Sequence, residues 1–184
     1  WYLEYGLGLV TNQEPAVPPS GPIYLLFVGY PQLIAAPATA ILLIRLTQAI
    51  MGTLTCYFVY RLAWAISHDV RAGLISATVL AISPVFIIET GQILTETLFV
   101  FLLAAALWLY IATLENHPAN KPLNTRLYAW IALLGMILGI ATLTRAVLLA
   151  FPLGIALHLL IIYGWRKGLQ LGLVLIVVFA ITLS

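Results

Sequence analysis

The sequence predicts an all-α fold, a polytopic transmembrane helical bundle with a juxtamembrane or re-entrant helix on its outer face. Three observations predict it. Of the 184 residues 63% are hydrophobic and only 8% charged, giving a mean hydropathy of +1.09, well outside the range of soluble domains. Uncharged apolar runs at 72–88, 97–114, 127–144, 146–165 and 168–184 approach the about 20 residues that a membrane-crossing helix needs. The few basic residues gather between these runs. A formal charge of +2 with no Lys/Arg block excludes a nucleic-acid partner and leaves membrane lipids as the surroundings. Cys56 stands alone in an apolar run, so there is no disulfide framework.

Residues 1–37 read as an outer loop with an interfacial helix. The stretch "NQEPAVPPSGPIYLLFVGYPQLIAAP" is proline-rich, and its apolar piece from Ile23 to Ile34 is too short to span. Tyr24, Phe27 and Tyr30 lie three apart and form an aromatic face at headgroup level. Residues 38–184 read as a transmembrane domain of about six spans with the last truncated. Because the chain starts at Trp1 and its last apolar run stops at Ser184 without a polar flank, the expectation is a piece of a longer protein.

Sidedness follows from the charges. Arg61 with Arg71, Lys121 with Arg126, and Arg166 with Lys167 mark cytoplasmic loops by the positive-inside rule. A pair of spans must lie between consecutive inside loops, so the "ETGQILTE" connector and a tight turn near Thr144–Arg145 face outside. Glu4, Glu14, Glu89 and Glu96 then share the outer side with Arg45 and Arg145. Arg45 lies about two turns below the surface, in a span that begins near Ala38.

Among these residues several could carry chemistry, and each has a plainer reading. Thr95 could cap a helix, with Glu96 complementing its dipole; alternatively the Glu96 carboxylate binds a metal, or orients a nucleophile or a phosphate-bearing substrate. Glu89 reads as a solvated charge. Arg145 either snorkels to the interface or receives a phosphate through its planar donor fork. Arg45, flanked by apolar residues, must find a partner or a wet cavity. His158 is expected to hydrogen-bond to a neighbouring helix. Gly135 and Gly139 form a GxxxG contact, and Pro84 and Pro152 are expected to kink their spans. HExxH, paired CxxC, Walker A and GxSxG motifs do not occur in the sequence.

The order of several weak motifs resembles the membrane-embedded type C glycosyltransferases, in particular the group of dolichyl-phosphate-mannose protein mannosyltransferases and lipid A aminoarabinose transferases. The residues that carry the likeness are Pro18-Pro19-Ser20-Gly21-Pro22-Ile23-Tyr24, Arg45-Leu46-Thr47-Gln48, the His68-Asp69-Val70-Arg71 turn, Pro84 through Thr95-Glu96-Thr97-Leu98, and Gly139-Ile140-Ala141-Thr142-Leu143-Thr144-Arg145. They cover most of residues 15–155. The resemblance implies an inverting enzyme that moves a sugar from a polyprenyl-phosphate donor to a lipid, glycan or protein acceptor at the outer face, in a bacterial plasma membrane.

By the same likeness Glu96 is the second acidic position, catalytic and near the donor phosphate or a divalent metal ion, the one cofactor this resemblance admits. Arg45, Arg145 and Tyr24 are the implied substrate-binding residues. The family's principal carboxylate precedes a Tyr-rich helix, which "WYLEYG" resembles, so that acid is expected before Trp1. A transporter or flippase for a lipid-linked or small anionic substrate is the competing reading. It predicts an inverted repeat, and the sequence shows no convincing one. A scaffold without activity would leave Arg45 unexplained.

Overall fold

The computed structural model describes residues 2–11 and 22–184. Glu14 and the Pro18–Gly21 part of the proline-rich motif lie outside the described residues, as does the side chain of Tyr24. Among the described residues every regular element is helical: α1 (Tyr2–Val10), α2 (Pro22–Ile34), α3 (Pro37–Ser67), α4 (Val70–Ala81), α5 (Pro84–Gly91), α6 (Thr95–Asn116), α7 (Thr125–Thr144) and α8 (Phe151–Leu183), with a single 3-10 turn at Ala146–Leu148. Backbone groups in hydrocarbon must be satisfied within their own segment, which is why such an apolar chain becomes helix throughout.

Four segments are long and apolar enough to cross a membrane: Pro37–Ser67, Thr95–Asn116, Thr125–Thr144 and Ala146–Leu183. The pair α4–α5, bent by 58°, makes a fifth if it counts as one span. The protein is therefore a multi-pass membrane protein. Prolines place several of the breaks. Pro37 starts α3 and Pro84 starts α5, where a missing N–H costs nothing. The run 72–88 is thus divided at Ile82–Ser83, as Pro84 leads one to expect. Pro152 differs from expectation: it occupies the first turn of α8 and kinks nothing, because a proline there removes no intrahelical bond.

The sharpest change of direction in α8 comes instead at Gly164, with φ 77° and ψ 168°, a conformation essentially confined to glycine. A Cβ on Gly168 would lie 2.5 Å from Leu160 Cα, and one on Gly172 would lie 3.3 Å from Ala156 Cβ. In a straight helix residues eight apart are separated by about 12 Å. The two arms of α8 therefore run antiparallel, as a hairpin closed by a single glycine. They correspond to the apolar runs 146–165 and 168–184.

The chain divides into two compact units, residues 1–101 with 143–145, and residues 102–142 with 146–184. In the first, α1 packs on α2, α2 on α3, and both α4 and α5 on α3; Gln32 Nε2 donates to the Leu3 carbonyl at 2.8 Å. α3 ends on His68 in the left-handed conformation (φ 55°), and Asp69 Oδ1 accepts the Arg71 N–H at 2.9 Å to cap α4. Both side chains are exposed, in keeping with the solvated turn the sequence suggests.

The second unit is built on Leu127, Ile131, Leu134, Leu138, Leu159, Leu171 and Leu175, all fully or nearly fully buried. Gly135 and Gly139 let α7 approach the second arm of α8: a Cβ at either would come within 2.7 Å of Leu175 O or 2.6 Å of Thr182 Cβ. That is the expected GxxxG contact. At the opposite end of α7, Lys167 Nζ donates to the carbonyls of Ala119 at 3.1 Å and Lys121 at 3.0 Å, and the Tyr163 hydroxyl donates to the His117 carbonyl. The two basic loops, 117–126 and 164–167, thus meet at one end of this unit.

Candidate functional site

Helix α6 begins at Thr95 and puts Glu96 in its first turn. Thr95 does not act as the capping residue; it is the first helical residue, buried, and its hydroxyl donates to Glu96 Oε2 at 3.1 Å. The cap reading fails by one position because Leu94 ends the connector. Glu96 Oε1 lies 3.3 Å from Arg145 Nη2, with the two side chains 26% and 44% exposed respectively. Arg145 follows the last residue of α7, and its guanidinium carbon stands 5.8 Å from the centroid of the Phe99 ring. The pair therefore joins residues on either side of two long helices, and an aromatic face one turn into α6 supports the cation.

α3 carries the other half of the site. Ala40, Ile44, Gln48, Gly52 and Thr55 form its buried stripe, spaced at the helical repeat. A Cβ on Gly52 would fall 2.9 Å from Thr90 Cγ2, so the end of α5 rests directly on the α3 backbone. Further toward the N-terminus of α3, Gln48 Nε2 donates to the Leu94 carbonyl at 3.3 Å. The segment 90–94 hence runs antiparallel along α3. The Thr97 hydroxyl donates back to the Glu89 carbonyl at 3.0 Å, closing the connector on itself. Arg45, three residues before Gln48, is about 4.5 Å further along the α3 axis. It is exposed, and among the described residues no carboxylate pairs with it.

Of the residues singled out in the sequence, Glu96 and Arg145 are in contact, and Arg45 lies on the helix that carries the connector. Tyr24 falls in the first turn of α2, with its side chain outside the described residues; Tyr30, two turns on, is 59% exposed. Glu89 is half-buried, and in the site only its carbonyl takes part. Sequence reasoning missed the parts played by Gln48 and Phe99. Both could have been found: Gln48 is the one amide in a stripe of small and apolar residues, and Phe99 lies at i+3 from Glu96.

Among the described residues no group of three or more His, Cys, Asp or Glu could hold a metal ion. Among the same residues the Glu96 carboxylate has a cationic partner in Arg145.

In the second unit His158 Nδ1 lies 2.7 Å from the Tyr110 hydroxyl, the helix-to-helix hydrogen bond expected for it. The pair borders an open apolar cleft of about 600 Å³ lined by Leu107, Val147, Leu148, Phe151 and Ile155.

No curated protein and no solved structure matches this chain. The sequence model of the dolichyl-phosphate-mannose-protein mannosyltransferases matches residues 31–184, a range that holds α3 to α8 with Arg45, Glu96 and Arg145. The chain therefore belongs to that family, membrane glycosyltransferases that take a sugar from a polyprenyl-phosphate donor.

Proposed function

We propose that this protein transfers a sugar, with inversion, from a polyprenyl-phosphate donor to an acceptor hydroxyl or amine at the outer membrane face, and that Glu96, Arg145 and Arg45 surround the donor phosphate. The observation that carries the reading is the Glu96–Arg145 contact at 3.3 Å. Sequence separates the two residues by two helices, and the fold joins them.

The chemistry asks for this arrangement. A lipid-linked donor stays in the bilayer, so its phosphate must be received by cations at the interface. The acceptor's oxygen or nitrogen attacks the anomeric carbon, the bond from that carbon to the phosphate oxygen breaks, and the polyprenyl phosphate departs with the electron pair while a base takes the acceptor's proton. Negative charge grows on the leaving phosphate, and guanidinium groups fixed nearby stabilise it most where solvent is scarce. Arg145 has five donors, and the one carboxylate contact seen leaves others for phosphate oxygens.

Arg45 needs a counter-charge for a different reason. An arginine carried into a span costs about 2.5–3.5 kcal/mol at the bilayer centre, and a bound phosphate offsets part of that. Glu96 orients Arg145 and supplies the negative charge that sets where the phosphate can sit. A divalent ion, where one takes part, would be held by the donor phosphate with Glu96 as its single carboxylate, the usual manner of Mg²⁺.

Binding of a polyprenyl phosphate to the full-length protein tests this reading. Arg45→Ala and Arg145→Ala should each weaken binding by about tenfold or more, the scale of a lost charge-assisted hydrogen bond. The lysine variants should recover only part, since charge returns without the fork. Unchanged affinity in both alanine variants overturns the proposal.

A further inference from the structure

Gln48 is the most deeply buried polar side chain of the site, 0% exposed. Its amide nitrogen makes the one bond, to the Leu94 carbonyl at 3.3 Å, while its Oε1 is buried with no hydrogen-bond partner among the described residues. An apolar chain of the same length would fill this place with no orphaned acceptor. On stability alone Gln48 is thus a poor choice, since a buried amide that is half satisfied is worse than a shape-matched hydrocarbon.

What the amide does hold is the start of α6. Leu94 immediately precedes the helix, and its carbonyl accepts from the Gln48 amide. The rotation of the first helical turn about its axis is then tied to α3. Glu96, two residues on, gets its direction toward Arg145 from that rotation. Two further contacts pin the same connector. Thr90 sits against Gly52 one turn along α3, and the Thr97 hydroxyl bonds to the Glu89 carbonyl. Among these tethers only Gln48 binds the peptide next to the helix start.

We infer that Gln48 is a positioning residue of the transfer reaction, aiming Glu96 at Arg145 through the Leu94 carbonyl. This rests on the reading of Glu96 given above. Gln48 touches neither donor nor acceptor; it acts through the orientation of the carboxylate, and a misplacement of about 1 Å in such a group can cost on the order of 100-fold in rate.

The experiment is sugar transfer by the full-length protein carrying Gln48→Met, Glu96→Gln, or both, with kcat and KM for the donor resolved and thermal stability measured on each. Gln48→Met is expected to keep or raise the melting temperature, to lower kcat by about tenfold to 100-fold, and to change KM for the donor little. In the Glu96→Gln background the same substitution should add almost nothing, because both changes remove one function. Gln48→Leu repeats the comparison with a different apolar shape.

Wild-type kcat in Gln48→Met alongside an impaired Glu96→Gln overturns this inference and leaves the reading of Glu96 standing. Parallel loss of stability and activity in both apolar variants shows packing alone and also overturns it, as does full additivity in the double variant. Wild-type turnover in Glu96→Gln removes the reading of Glu96 and this inference with it.

Discussion

Replacing Glu96 by Gln separates the two roles open to it, because they differ both in size and in what they affect. Suppose first that the carboxylate only complements the α6 dipole and holds Arg145. A charge in the first turn contributes about 0.3–1 kcal/mol. An ion pair as exposed as this one, at 26% and 44%, contributes about 0.2–1 kcal/mol after solvent screening. Glu96→Gln would then cost about 0.5–2 kcal/mol of stability. Turnover per folded molecule would stay near wild type, since neither term changes between bound substrate and transition state.

If the charge instead sets Arg145 and the donor phosphate in place, the nearly isosteric amide removes stabilisation where charge develops. A loss of about 100-fold in kcat, equal to about 2.7 kcal/mol on the barrier, is then expected. The assay is sugar release from a polyprenyl-phosphate donor by the full-length protein in lipid nanodiscs, with folded protein quantified for each variant. Glu89→Gln is the control, a half-buried carboxylate whose carbonyl alone takes part in the site. Wild-type turnover in Glu96→Gln, or an equal collapse in Glu89→Gln, would refute the reasoning.

Two other expectations concern the frame that carries the site. Gly164→Ala should lower stability by about 1–3 kcal/mol, because φ 77° with ψ 168° has no comfortable side-chain equivalent; an unchanged melting temperature would mean that α8 does not turn back at that residue. In a Cys56→Ser background, impermeant thiol labelling of intact cells should reach Gln92→Cys and miss Asn120→Cys, the expectation from the basic clusters that mark 117–126 as cytoplasmic. Labelling of both from one side would sink the proposed sidedness.

How far the sequence could be read depended on the range of the physics at each place. Composition and the spacing of basic clusters act locally or through the bilayer, so the helical multi-pass class, the solvated His68–Asp69 turn and the glycine contact of α7 were open to inspection. Pro84 also announced its break. Pro152 misled because proline is a local signal whose effect depends on its position within the helix, and the true start of α8 was not evident. The hairpin at Gly164 follows from a backbone conformation that glycine permits and does not compel.

The site divides along the same line. A carboxylate at a helix start and arginines flanked by apolar residues are unusual enough in a sequence this poor in charge to be chosen unaided, and Glu96, Arg45 and Arg145 were chosen in that way. That Glu96 meets Arg145 depends on α6 and α7 matching in length and on the connector lying along α3. Gln48 escaped notice for a related reason. A glutamine about three turns into α3 looks in sequence like any isolated polar residue of a span, and its amide meets Leu94 only because the connector after α5 lies along α3 beside Gly52. The sequence by itself determined the solvent, the class of fold and which charges were out of place; the tertiary structure alone decided which of those charges touch, because contacts between distant residues are fixed by the packing of whole helices.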